Sequence, residues 1–76
     1  MTAYGVILFH TTSSAMRAEK VAKGAGFVID LIPTPRELSS DCGIAIRFEW
    51  DRHEQIESAI AKATIETAGI HRLEKD

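Results

Sequence analysis

Hydrophobic and polar positions along the chain follow two different periods, which predicts alternating strands and helices. The segments "AYGVILF" and "FVIDLI" are short, apolar and rich in strand-forming residues, so we predict strands over residues 3–9 and 27–32, the second ended by Pro33. Apolar and more polar positions alternate in "GIAIRFEW", which indicates a third strand with one face exposed to solvent. "IHRLE" predicts a short closing strand over residues 70–74.

Two segments carry the period of a helix. Alanines recur at steps of three and four residues after the hydroxyl cluster "HTTSS", which offers several N-caps, and Gly26 is the predicted stop. Asp51 and Glu54 have the spacing of a capping box, and an apolar stripe then continues to about Thr67. We therefore predict a second helix between Asp51 and Thr67, stopped by Gly69.

The order βαββαβ in 76 residues predicts one α+β domain over residues 1–76. Its expected architecture is a ferredoxin-like two-layer sandwich, with a four-stranded antiparallel sheet and two helices on one face. In this topology the ends of strands one and two meet the starts of strands three and four. His10, the start of the first helix, the loop over residues 33–43 and His71 should therefore gather at one end, with His53 at the other.

Composition excludes several classes of protein. With 45% hydrophobic and 26% charged residues, the chain has the composition of a folded domain. A net charge of −2 with scattered Lys and Arg argues against nucleic-acid binding. We find no signal peptide and no apolar segment of membrane-spanning length, so we expect a cytoplasmic protein that does not bind membranes. The small core favours a homodimer.

The chemistry-bearing segment is "PTPRELSSDCG", which contains the only cysteine, Cys42. The amino terminus of the first helix and Arg36 would both favour a thiolate and lower the pKa of Cys42, whereas Asp41 opposes this effect. Two prolines restrict the loop, and Gly43 permits close backbone approach. This pattern makes Cys42 a candidate nucleophile. The alternative is that the thiol is only a small buried hydrophobe.

The histidines admit structural interpretations as well. His10 is either a strand-end or capping residue or a catalytic base, and His71 is interpreted as a surface residue of the last strand. A metal site from His10, Cys42 and His71 would lack the closely spaced ligand pairs typical of zinc sites. We therefore predict neither a metal nor a cofactor. Trp50 and Phe48 share a face with Ile44 and Ile46, which indicates core positions.

Three segments together resemble a small bacterial domain family of unknown function, the selenium/sulfur carrier protein-like family. They are "HTTSSAMRAEK", "AGF" and, above all, "LIPTPRELSSDCGIAIRF". The resemblance covers nearly the whole chain. It implies a thiol that holds sulfur or selenium as a persulfide or selenosulfide, with a donor and an acceptor protein as partners. It therefore implies a carrier more than an enzyme with turnover.

On this interpretation Cys42 accepts the sulfur or selenium atom and Arg36 stabilises the anion. Thr34, Ser39 and Gly43 shape the pocket and offer hydrogen bonds, and His10 supplies a proton or a positive charge. Two other hypotheses stay open. One is a dimerising regulatory or assembly module whose proline loop binds a partner or a small anion, with Cys42 structural. The other is a redox sensor, for which the chain offers no resolving cysteine.

Overall fold

A computed structural model describes residues 2–38 and 43–75 of the chain. The strands are β1 (Thr2–Leu8), β2 (Ile29–Pro33), β3 (Ile44–Glu49) and β4 (Gly69–Lys75). The helices are α1 (Thr12–Gly24) and α2 (His53–Lys62), and a 3₁₀ turn (Trp50–Arg52) precedes α2. The predicted order of strands and helices is therefore confirmed, with strand boundaries displaced by one or two residues.

The four strands form one antiparallel sheet in the order β2-β3-β1-β4. The register pairs Leu8 with both Ala45 and Gly69, and it pairs Pro33 with Ile44. The ends of β1 and β2 and the starts of β3 and β4 therefore share one end of the sheet, which we call the upper end. This is the ferredoxin-like α+β sandwich predicted from the sequence.

Both helices pack on one face of the sheet. The alanine stripe of α1 is fully buried, and Ile56 and Ile60 of α2 join it over Ile7 of β1 and Phe9, which directly follows that strand. Small alanine side chains allow the helix to lie close to the strands, so the large strand residues fill the space between the layers. Each such large apolar side chain contributes about 1.5–3 kcal/mol when fully buried.

The opposite face of the sheet, which we call the open face, has a smaller apolar cluster of its own. Val6, Leu8 and Ala45 are at most 2% exposed there. The half-buried side chains that pack against them are Tyr4, Ile32, Leu38 and Leu73. Leu38 belongs to the loop between β2 and β3, so this loop covers part of the open face.

Helix α1 begins and ends as its sequence predicts. Thr11 is the N-cap, and its Oγ1 accepts a hydrogen bond of 3.1 Å from the backbone N–H of Ser14. At the other end Gly26 has φ of 92°, and the N–H of Phe27 donates to the carbonyl of Ala22. This is a Schellman motif, in which a residue without a Cβ adopts the left-handed conformation at low cost.

Helix α2 differs from its prediction at both ends. The capping box at Asp51 is wrong because residues 50–52 form a 3₁₀ turn and the helix begins at His53, whose Nδ1 lies 2.7 Å from the carbonyl oxygen of Trp50. The stop near Thr67 is also wrong. The helix ends at Lys62 in a second Schellman motif, with Thr64 at φ of 59° and the N–H of Ile65 donating to Ile60.

Trp50 follows the last residue of β3 and begins the 3₁₀ turn. It packs against the core on the helix side of the sheet, as predicted. Its ring stacks on the ring of His53, with centroids 4.2 Å apart and an angle of 8° between the planes. Both residues lie at the end of the sheet opposite the upper end, because they follow the last residue of β3. His53 is therefore remote from the β2–β3 loop.

Candidate functional site

The β2–β3 loop is closed at its base by one backbone hydrogen bond. The N–H of Thr34 donates to the carbonyl oxygen of Gly43 over 3.0 Å. This bond continues the pairing of Pro33 with Ile44 by one step beyond the strands. Two of the predicted site residues are therefore in direct contact, and they fix the two points at which the loop leaves the sheet.

A turn shapes the first half of the loop. The N–H of Leu38 donates to the carbonyl oxygen of Pro35 over 3.0 Å, which places Arg36 and Glu37 at the tip, both exposed. Pro35 has a fixed φ, which lowers the conformational entropy lost when the turn forms. None of the ion pairs between described residues involves Arg36.

Leu38 anchors this turn to the sheet. Its side chain packs on the cluster of Val6, Leu8 and Ala45, on the face opposite to the two helices. Sequence reasoning did not single out Leu38. The available signal was one large apolar residue within a polar loop, because such a residue needs a buried surface to contact.

The other predicted site residues lie either at the upper end or outside the residues that the structure describes. His10 is exposed and follows β1, one residue before the Thr11 cap of α1. The N–H of Ala68 donates to Leu8 over 2.7 Å and brings the start of β4 to the same end. Ser39 and Cys42 lie outside the described residues, so the predicted contact of Cys42 with the helix amino terminus is untested.

Helix α1 presents its amino terminus at the upper end without acidic residues in its first turn. The Thr11 hydroxyl caps Ser14 and also lies 3.0 Å from the Ser14 hydroxyl. A helix amino terminus carries the positive end of the helix dipole, which favours a nearby anion. The described part of the loop, however, lies against the open face through Leu38, whereas α1 lies on the other face.

His71 lies on β4, where it pairs with Val6 of β1, and it is half-buried. Its Nε2 lies 3.2 Å from the position of a Cβ on Gly69, so the ring leans over the glycine on the open face. Within residues 2–38 and 43–75, no group of three or more His, Cys, Asp or Glu side chains could hold a metal ion.

Surface clefts between described residues lie away from the upper end. One, of about 220 Å³, lies between Tyr4, Asp30 and Arg47 on the open face. A second, of about 360 Å³, lies beside Gly26 and Arg52 at the end of the sheet opposite the upper end, which we call the lower end. At the upper end the described residues instead form the base of the β2–β3 loop and a turn on which Arg36 and Glu37 are exposed.

These features define a small ferredoxin-like protein with an anchored hairpin loop that contains its single cysteine. The chain belongs to the family described as "Putative Se/S carrier protein-like", which matches residues 4–72. The resemblance inferred from the sequence is therefore confirmed, and the match includes every predicted site residue. The family name suggests a selenium or sulfur carrier, which implies partner proteins. No curated protein and no solved structure gives a significant match.

The helices of the described chain are too short and too polar to cross a membrane.

Proposed function

We propose that the protein carries a sulfur or selenium atom on Cys42 between a donor and an acceptor protein. The observation that carries the proposal is the family match over residues 4–72, which includes the sole cysteine within a loop closed by Thr34 and Gly43. A carrier must expose its thiol to two successive partners. A loop at the end of a sheet suits that requirement better than a deep cavity does.

The chemistry is thiol exchange without net oxidation. The thiolate of Cys42 attacks the outer sulfur of a donor persulfide, which forms a new S–S bond to Cys42, breaks the donor's S–S bond and releases the donor thiolate. An acceptor thiolate then attacks the outer sulfur on Cys42, and Cys42 leaves as a thiolate. With a donor selenosulfide the atom attacked is selenium, and the electron count is unchanged.

The neighbouring residues have supporting roles in this proposal. Arg36, exposed at the tip of the turn, stabilises the anionic sulfur, and Gly43 allows the backbone to approach it. Thr34 and Ser39 shape the pocket and offer hydrogen bonds. His10, at the same end of the sheet, supplies a proton or a positive charge.

The first test measures the reactivity of Cys42. The pKa from the pH dependence of its alkylation rate should lie below the value of about 8.5 for a free thiol, because a positive neighbour stabilises the thiolate. In Arg36→Ala the pKa should rise towards that value. Arg52→Ala is the matched control, since Arg52 is an exposed arginine at the lower end, and it should leave the pKa unchanged.

The second test measures loading. Incubation with glutathione persulfide should add one sulfur atom to the wild-type chain, detected by intact mass, and a thiol should remove it. Cys42→Ser should take up none. Full loading of Cys42→Ser, or an unshifted and unreactive Cys42, would reject the carrier function in favour of the regulatory or assembly module, in which the cysteine only packs.

A further inference from the structure

Strand β4 is the longer of the two edge strands of the sheet. This strand ends the sheet order and spans seven residues, Gly69–Lys75, in unbroken register with β1. It contains no proline. The other edge strand, β2, has five residues and ends at Pro33. Proteins commonly protect sheet edges with prolines, bulges, short strands or charged side chains. Strand β4 has only the last of these, and its charges are of both signs, so it can pair where opposite charges meet.

A second copy of the chain fits this edge by symmetry. In a two-fold dimer with antiparallel β4 strands, the helices of both copies stay on the same face, and opposed positions must face the same side of the sheet. The two β4 strands can therefore pair only in registers in which one residue lies directly opposite the same residue of the second copy. We call that residue the centre of the register. The charges on β4 distinguish between these registers.

The register centred on Leu73 places Arg72 of each copy opposite Glu74 of the second copy. The register centred on Arg72 places that arginine opposite itself, and the one centred on His71 places it opposite Ile70. Opposite charges across an antiparallel pair stabilise it, and like charges destabilise it. Charge complementarity therefore selects Leu73 as the centre, where two Arg72–Glu74 pairs form.

The side chains that would meet are exposed or half-buried in the single chain. Arg72 and Glu74 are 51% and 53% exposed, with Nη1 of the arginine 3.4 Å from Oε1 of the glutamate within the same chain. Leu73 is half-buried on the open face and belongs to the same apolar cluster as its register partner Tyr4. Pairing would extend this cluster across both copies.

We propose that the chain forms a two-fold dimer through antiparallel β4 strands centred on Leu73, with reciprocal Arg72–Glu74 pairs. The two four-stranded sheets then become one continuous sheet, which helps a core as small as that of 76 residues. The two-fold axis points the upper ends in opposite directions. Both β2–β3 loops thus stay open to other proteins, and the dimer does not depend on the function of Cys42.

A charge swap tests the contact. Sedimentation equilibrium over a concentration series, with reductant present, should show a wild-type dimer. In Arg72→Glu and in Glu74→Arg the dissociation constant should rise about tenfold or more, because each places like charges opposite each other twice. The double variant R72E/E74R should regain the wild-type value. A wild-type chain that stays monomeric throughout, or a double variant no tighter than the single ones, overturns the proposal.

Arg47→Glu is the matched control. It breaks the comparable exposed pair of Arg47 with Asp30, 3.3 Å apart on β3 and β2, far from the β4 edge. Its dissociation constant should equal that of the wild type. Loss of the dimer in this variant as well would show that general charge changes, not the β4 contact, control association, and would reject the proposed interface.

Cross-linking tests the register, in a Cys42→Ser background. Leu73→Cys should link the two copies rapidly with a short thiol cross-linker, because the two positions face each other. His71→Cys lies on the same face but would be separated from its counterpart by four residues, or roughly 13 Å along the strand, and should not link. Faster linking of His71→Cys than of Leu73→Cys excludes this register.

Discussion

The ring of Phe48 lies directly across Gly5, its partner in the register between β3 and β1. A Cβ on residue 5 would lie 2.2 Å from Cζ of Phe48 and 2.7 Å from both Cε atoms. The glycine is therefore required by the space that the ring occupies, because no side chain fits between the strand and the ring. The contact fixes how the largest residue of β3 enters the core.

We expect Gly5→Ala to lower the free energy of unfolding by about 1–3 kcal/mol, because the ring of Phe48 must move to an unfavourable position. Urea denaturation measures the change. Gly24→Ala is the control, since a Cβ there meets nothing within 4 Å and alanine favours the helix. It should be neutral or stabilising. Equal losses in both variants would contradict the steric explanation.

Thr64→Gly should raise the free energy of unfolding by about 1 kcal/mol. Thr64 has φ of 59° in the Schellman motif of α2, a conformation that a β-branched residue adopts at a cost and glycine adopts freely. Gly26→Ala at the equivalent position of α1, where φ is 92°, should lower stability by a similar amount. Thermal unfolding compares the two. Changes of the same sign would refute the argument.

Leu38→Ala should release the β2–β3 loop. The half-buried side chain attaches the loop to the open face, so its truncation should cost about 1–2 kcal/mol and speed tryptic cleavage after Arg36. Val28→Ala is the control, because Val28 is 87% exposed and should change neither quantity. A cleavage rate unaffected by Leu38→Ala would mean that other contacts hold the loop.

Thr11→Ala should destabilise the protein by about 1 kcal/mol, because the N–H of Ser14 loses its acceptor at the start of α1. Thr11→Ser keeps the hydroxyl oxygen and should recover most of the loss. Ser13→Ala, an exposed hydroxyl one residue before Ser14, should have little effect. Denaturant titration of the three variants separates capping from a general effect of removing hydroxyl groups.

The fold was predictable because each strand and helix has either a clear period or a short apolar run bounded by polar residues, glycine or proline. The alternation from Ile46 to Glu49 and the alanine stripe of α1 both reflect burial on one side, which sequence periodicity records directly. Ala45 departs from this pattern, because it is buried on the open face. The two ends of α2 were not predictable in this way. Its start depends on a 3₁₀ turn stabilised at Trp50 and His53, and its stop uses a threonine in a conformation that sequence rules assign to glycine.

The candidate site was predictable only as a set of residues at one end of the sheet. Topology alone brings the ends of β1 and β2 together with the starts of β3 and β4, and the Thr34–Gly43 bond follows from the same pairing. The packing of Leu38 on the open face depends on a tertiary contact that no local pattern encodes. The placement of Cys42 lies outside the described residues, so its role stays a prediction.

The pairing of Thr2 with Lys75 at the lower end has a practical consequence for attaching labels and fused proteins. Strands β1 and β4 each span the distance between the lower and upper ends with seven residues, or roughly 23 Å. A fluorophore, surface tether or second protein joined beside either residue would stand a full strand length from Arg36. The transfer proposed for Cys42 can therefore be assayed on immobilised or labelled chains without the attachment obstructing the loop.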